Sequence, residues 1–282
     1  MLLKKLSILL CSSLITCTVF AQSNTKDTAI IDKTMTSFLE CDSQFFQQLA
    51  KNKTKFEQFA HLATADKVAY FPVENAQKDD KNSIMFKKPI VYKGLNIVGY
   101  QNIYIETPFS GQYFFWGFII NNSLDKIKNT LSQLNWSNYN SSSYIANSKI
   151  YDRQIEPTVW KDNIYSIDGV IPRQATIEKA IYLETLSDNQ SHLICSIQGD
   201  IPDDILFSIR PDMKPVIEEI NKKREEKIKA YKLKQEEKAK EKEKEKAKTK
   251  EQSENQQSSQ PDIEVNDNKT TENNSKDGMQ AK

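Results

Sequence analysis

Ile103-Tyr104-Ile105-Glu106-Thr107 returns 78 residues later as Ile181-Tyr182-Leu183-Glu184-Thr185. Each block closes a predicted strand, over 95–106 and 177–186. Each is followed by a turn and a second strand, over 112–120 and 192–198. Pro108 and Gly111 punctuate the first turn, and Ser187-Asp188-Asn189-Gln190 makes the second. Without gaps, the same offset places Ile119 on Ile197 and Ile127 on Ile205. Going backward it places Phe46, Leu49 and Phe56 on Leu124, Ile127 and Leu134. The expected fold is α+β: two tandem helix-plus-antiparallel-sheet modules, 37–121 and 122–212, related by this ~78-residue internal repeat. Two unrelated hairpins are the simpler alternative, since apolar residues often match apolar residues.

Helix-then-strands describes both halves. Asp42 can cap a helix to about residue 51, with Phe45, Phe46 and Leu49 on one side. A second helix is expected over 54–63. Asn122 or Ser123 can cap another over 124–134, where Leu124, Ile127, Leu131 and Leu134 follow helical spacing. Further strands are expected near 68–71, 84–92, 144–151 and 164–167. The run Tyr113-Phe114-Phe115-Trp116-Gly117-Phe118-Ile119-Ile120 is apolar on both faces, which a half-solvated strand is not. It should therefore be central, with helices on one side and the other module or a partner on the second. Tyr113, Phe115 and Trp116 are the candidate aromatic interface on the docking version of that reading.

The N-terminus begins Met-Leu-Leu-Lys-Lys and continues as an apolar run from Leu6 to Phe20, with Ala21 before polar Gln22-Ser23-Asn24. A basic start, a short apolar centre and a small residue at the junction form the pattern of a secretory signal peptide, 1–21, followed by a linker, 22–36. The apolar run is shorter than the roughly 20 residues that span a bilayer. Leu14-Ile15-Thr16-Cys17 also resembles a lipoprotein cleavage box, making lipidation at Cys17 the minor alternative. The expected location is periplasmic or secreted, with no transmembrane anchor in the mature chain. Cleavage would leave two cysteines, Cys41 and Cys195, and two thiols in an exported protein most often form one disulfide. A catalytic thiol using His61 or His192 is the rival.

Most motif-borne chemistries are missing. Glycines are scattered and make neither dinucleotide nor phosphate loops, and no nucleophile elbow, zinc-helix motif or Ca²⁺ loop occurs. No metal and no cofactor are expected, because two separated histidines and two paired cysteines supply few ligands. The enzyme route left open is carboxylate chemistry. Glu106 and Glu184 stand at equivalent positions of the repeat, and two acids about 5–10 Å apart can hydrolyse a glycosidic bond.

From residue 213 the chain changes character. Over 215–250, 14 Lys/Arg face 9 Glu, with Glu218/Lys222, Glu219/Lys223, Glu225/Lys229 and Glu236/Lys240 in the favourable i,i+4 order. A charged, partly helical extension is expected over 213–251 and a disordered tail over 252–282. No sustained heptad suggests a coiled coil. Interleaved Glu argues against nucleic acid and leaves at most weak contact with anionic surfaces. The element order resembles that of β-lactamase-inhibitor-type proteins and of small outer-membrane assembly lipoproteins, although those inhibitors carry a disulfide in each module. Taken together, the expected function is a non-catalytic binding or assembly module of the bacterial cell envelope, its partner an envelope protein or glycan. A carboxylate-dependent cell-wall glycan hydrolase and an inhibitor of a secreted hydrolase are the alternatives.

Overall fold

The computed structural model describes residues 17–109, 111–167, 172–187 and 189–257. Helix and antiparallel strand are mixed along the chain. The helices are α1 (Cys17–Phe38), α2 (Gln44–Lys51), α3 (Lys53–Phe56), α4 (Leu124–Thr130), α5 (Asp203–Ile209) and α6 (Lys214–Gln257), with a 3-10 turn at Pro211–Met213. Strands β1 (Ala63–Ala65) and β2 (Val68–Tyr70) form a small ribbon. The main strands are β3 (Ser83–Tyr92), β4 (Leu95–Thr107), β5 (Gly111–Ile120), β6 (Ser137–Asn140), β7 (Ser143–Asp152), β8 (Lys161–Asp162), β9 (Thr176–Ser187) and β10 (Gln190–Gly199). They make one eight-stranded sheet in the order β3-β4-β5-β10-β9-β7-β6, with β8 paired beside β7. Strands from both expected modules therefore share one sheet, joined where β5 lies antiparallel to β10.

Local chemistry accounts for the element ends. Lys93 and Gly94 both have positive φ, as the two-residue turn between β3 and β4 requires. The Asp42 carboxylate accepts from the Gln44 N–H at 2.8 Å at the start of α2, and Ser123 Oγ accepts from the Lys126 N–H at 3.4 Å in α4. Ser137–Asn140 was not foreseen as a strand, and 164–167 is not one; β8 lies just before it, at Lys161–Asp162. Residues 22–36, expected as a linker, belong to α1, where Ile31, Met35 and Phe38 are buried at i, i+4 and i+7.

Strand parity assigns each side chain to a face. Phe114, Trp116, Phe118, Leu193, Cys195, Ile197, Ile181 and Leu183 share the face that carries the helices. There Phe118 meets Phe38 and Phe45 edge-on, with ring centroids 4.7 and 5.8 Å apart. Cys41 and Cys195 are disulfide-bonded across this core, tying the end of α1 to the central strand β10 over a separation of 154 residues. The 3-10 turn brings in an ion pair. Arg210, fully buried, donates through Nε to Asp212 Oδ1 at 2.8 Å and through Nη2 to Asp212 Oδ2 at 2.7 Å. It also donates to Asn102 Oδ1 at 3.0 Å and lies 4.3 Å above the Trp116 ring.

Two compact units divide the chain at Glu219/Ile220. Every element above except α6 lies in the first. The described part of the second is helical, belongs to α6, and exposes every described side chain from Asn221 to Lys246. Of the segments assigned from sequence to leader and tail, 1–16 and 258–282 lie outside the described residues.

Candidate functional site

Among the described residues, the apolar core of the opposite face is built by strand side chains, with Asn163 from the segment after β8 reaching Glu178. The register aligns Gln101, Gly117, Ile194, Tyr182 and Ile145 in one row across five strands. Ile103, Phe115, Ser196 and Ala180 form the next row, and Ile105, Tyr113, Gln198, Glu178 and Ile150 the one beyond it. On the other side of the first row lie Ile119, His192, Glu184 and Ser143. A buried cluster of Ile145, Ala180, Tyr182 and Ile194 sits at the centre, flanked by half-buried Ile103, Phe115 and Tyr139. Every member of that cluster is a strand residue. Around it, Met85 and Ile105 remain 61% and 48% exposed.

Gly117 leaves the middle row without a side chain, and the sheet needs it so. A Cβ there would lie 2.2 Å from the Leu193 carbonyl oxygen and 2.6 Å from Ile194 Cα. Tyr182 packs edge-on against Tyr139 with centroids 5.3 Å apart, drawing β6 toward the cluster.

Polar groups on this face are partly desolvated. Burial pushes the Glu178 carboxyl up from its ordinary value, and hydrogen bonds from Gln198 and Asn163 pull it part of the way back. Burial also raises Glu184 and, more strongly, the Tyr182 hydroxyl. His192, opposite Glu184 in the register, is lowered to about 4 by burial, and its Nε2 has no hydrogen-bond partner. All four groups are held toward their neutral forms. No group of three or more His, Cys, Asp or Glu that could hold a metal occurs among the described residues.

The residues singled out from sequence are scattered by this geometry. Glu106 lies at the level of Gln112, Gly199 and Ile177. Glu184 is seven residues further along β9, about 23 Å along the strand and about 14 Å across three strand spacings. The paired-acid site is corrected accordingly. Because β5 and β10 run antiparallel, equivalent ends of β4 and β9 point to opposite ends of the sheet. The aromatic trio also divides: Trp116 is fully buried beneath Arg210 on the helix-bearing face, whereas Tyr113 and Phe115 are half-buried on the opposite face. Cys41 and Cys195 come together, and their disulfide leaves neither of these two sulfurs free as a nucleophile. Glu178 and Gln198 were not anticipated; the signal available was their polar character within runs otherwise made of core residues.

Comparison with protein-family models, with curated proteins and with solved structures found no match to this chain.

Proposed function

We propose that this is an exported, non-catalytic binding or assembly protein of the bacterial cell envelope, and that its partner is a protein docking on the face opposite the helices. The observation that carries this reading is the row structure of that face, with a buried apolar centre and a rim of exposed or half-buried Met85, Ile103, Ile105, Tyr113 and Phe115. Exposed and half-buried apolar side chains gathered on one face mark a surface that a protein partner covers. Its prominent exposed groups are aliphatic, which favours a protein over a glycan partner. Joining of the sheet edge is disfavoured, since edge strand β3 carries Lys87, Lys88 and Pro89.

Export is supported by the basic-apolar-small leader pattern and by the Cys41–Cys195 disulfide. Among the described residues, no helix is long and apolar enough to cross a membrane. A tandem origin of the two halves is supported by the 78-residue offset, which carries β5 onto β10 and α2 onto α4 within two residues. The exposed part of α6 serves in this reading as a solvated helical spacer.

The test compares partners captured from native envelope extracts by the wild type and by Ile105→Asp and Met85→Asp. Both residues are exposed, so the variants should fold normally. An envelope protein retained by the wild type and lost by both variants supports the reading. Equal retention by all three, or retention of purified cell-wall glycan alone, refutes it.

A further inference from the structure

The end of the sheet where β4, β7 and β10 finish holds a second feature, which meets the docking face at Ile150 but includes none of its rim residues. A cavity of about 510 Å³ opens beside β8, at the outer edge of β7. Its walls are apolar, with Ile150, Ile155, Pro157, Val159, Ile164 and Tyr165 lining it. Soluble proteins seldom leave large apolar side chains exposed in a cluster without a use for them. Here Ile155 is 49% exposed, Val159 47%, Ile164 74% and Tyr165 70%, all around one concavity. The volume lies within the roughly 300–1,000 Å³ that encloses one small ligand.

The charged side chains lining the cavity are two acids, Asp152 and Asp162, and two bases, Lys161 and Arg173, and they are not all paired with one another. Arg173 is paired with Asp152, and Asp162 is paired with Lys149. Lys161 also lines the cavity and takes part in no ion pair among the described residues. The remaining polar lining residue, Asn163, is committed to the fold. Its backbone N–H donates to the Ser148 carbonyl at 2.9 Å and its Oδ1 accepts from the Tyr165 N–H at 3.1 Å. The site therefore combines aliphatic walls with one cation, Lys161, that is engaged in no ion pair among the described residues and stands on an exposed strand.

We propose that this cavity binds the hydrocarbon chain of a free fatty acid, a linear monoanionic amphiphile, with its carboxylate held by Lys161. An aliphatic chain matches walls made mainly of Ile and Val, and a single negative charge matches the single unpaired cation. The concavity favours one chain entering the protein over a flat lipid surface meeting it. Association is reversible and no bond is made or broken. The inference stands on the cavity alone and does not depend on the docking face.

Titration calorimetry of the full mature chain with dodecanoate, below its micellar concentration, tests it. One saturable site in the micromolar range is expected. Val159→Asp and Ile164→Asp, both at exposed positions, should each weaken dodecanoate more than tenfold by setting a carboxylate against the chain. Lys161→Gln should weaken dodecanoate several-fold and leave dodecanol unchanged, since the alcohol carries no charge for the lysine to hold. Ile105→Asp should bind dodecanoate as the wild type does, so failure of the docking reading and failure of this one are distinguishable. The proposal is overturned by absence of saturable binding, by binding that survives Val159→Asp and Ile164→Asp, or by adsorption to anionic phospholipid vesicles without binding of free dodecanoate.

Discussion

Replacing Asp212 by Asn should be among the most damaging single changes in the first unit, although the residue contacts no proposed ligand. Asp212 is 1% exposed and receives two hydrogen bonds from Arg210, which is itself fully buried. The Asn keeps one acceptor oxygen but sets an amide N–H against Arg210, and no negative charge remains beside a guanidinium whose other neighbours are the Asn102 side-chain oxygen at 3.0 Å and the Trp116 and Phe46 rings at 4.3 and 5.5 Å. Breaking a buried pair from one side typically costs about 3–5 kcal/mol, because the surviving charge stays desolvated. With a urea dependence of about 2 kcal/mol per molar, the midpoint should fall by about 1.5–2.5 M. Intrinsic fluorescence can follow the transition, since Trp116 lies directly beneath Arg210. The double variant Arg210→Met/Asp212→Leu removes both charges and should recover to within about 1 kcal/mol of the wild type or exceed it. A midpoint shift below about 0.3 M for Asp212→Asn, or single-variant effects that simply add in the double variant, would refute the argument that desolvation dominates this pair.

Reducing the Cys41–Cys195 disulfide, or replacing both cysteines by Ser, should remove on the order of 4–5 kcal/mol for a loop spanning 154 residues, less any structure retained in the unfolded chain. Denaturation with and without reductant measures this; an unchanged midpoint would mean that the bridge does not constrain the unfolded state. His192 titrates near 4 when folded against 6.5 when unfolded, so the unfolded state binds more protons as pH falls below about 6.5. Stability should therefore drop by up to about 3 kcal/mol between pH 6.5 and pH 4, and His192→Gln should flatten that slope. An identical pH profile for the variant would remove His192 from the explanation. Gly117→Ala should lower stability by about 1–3 kcal/mol or more through the 2.2 Å clash with the Leu193 carbonyl. A thermal midpoint equal to that of the wild type would show that β10 can move aside.

The long strands and the two capped helices were legible because their signals are local. The continuous apolar run at 113–120 marks a strand buried on both sides, and it occupies an interior position beside β10. The α1 helix was not legible: Thr, Lys and Asp between Ile31, Met35 and Phe38 masked the period, and 22–36 reads as a linker. The candidate residues fared less well. Nothing within five residues of Glu106 or Glu184 says which end of a sheet each strand reaches. Nothing around Trp116 says that an arginine 94 positions later will cover it.

From the order of residues alone came the α+β class, the hairpins, the pairing of two cysteines and the change of composition beyond residue 213, each a matter of short-range periodicity or of counting. The tertiary structure decided that both halves build one sheet, that its helices gather on one side, that the glutamates stand far apart, and that Arg210 and Asp212 belong to the core. Those outcomes depend on strand register and on which face is covered. Both are settled by contacts between residues tens to more than a hundred positions apart, whose free energy no local pattern records.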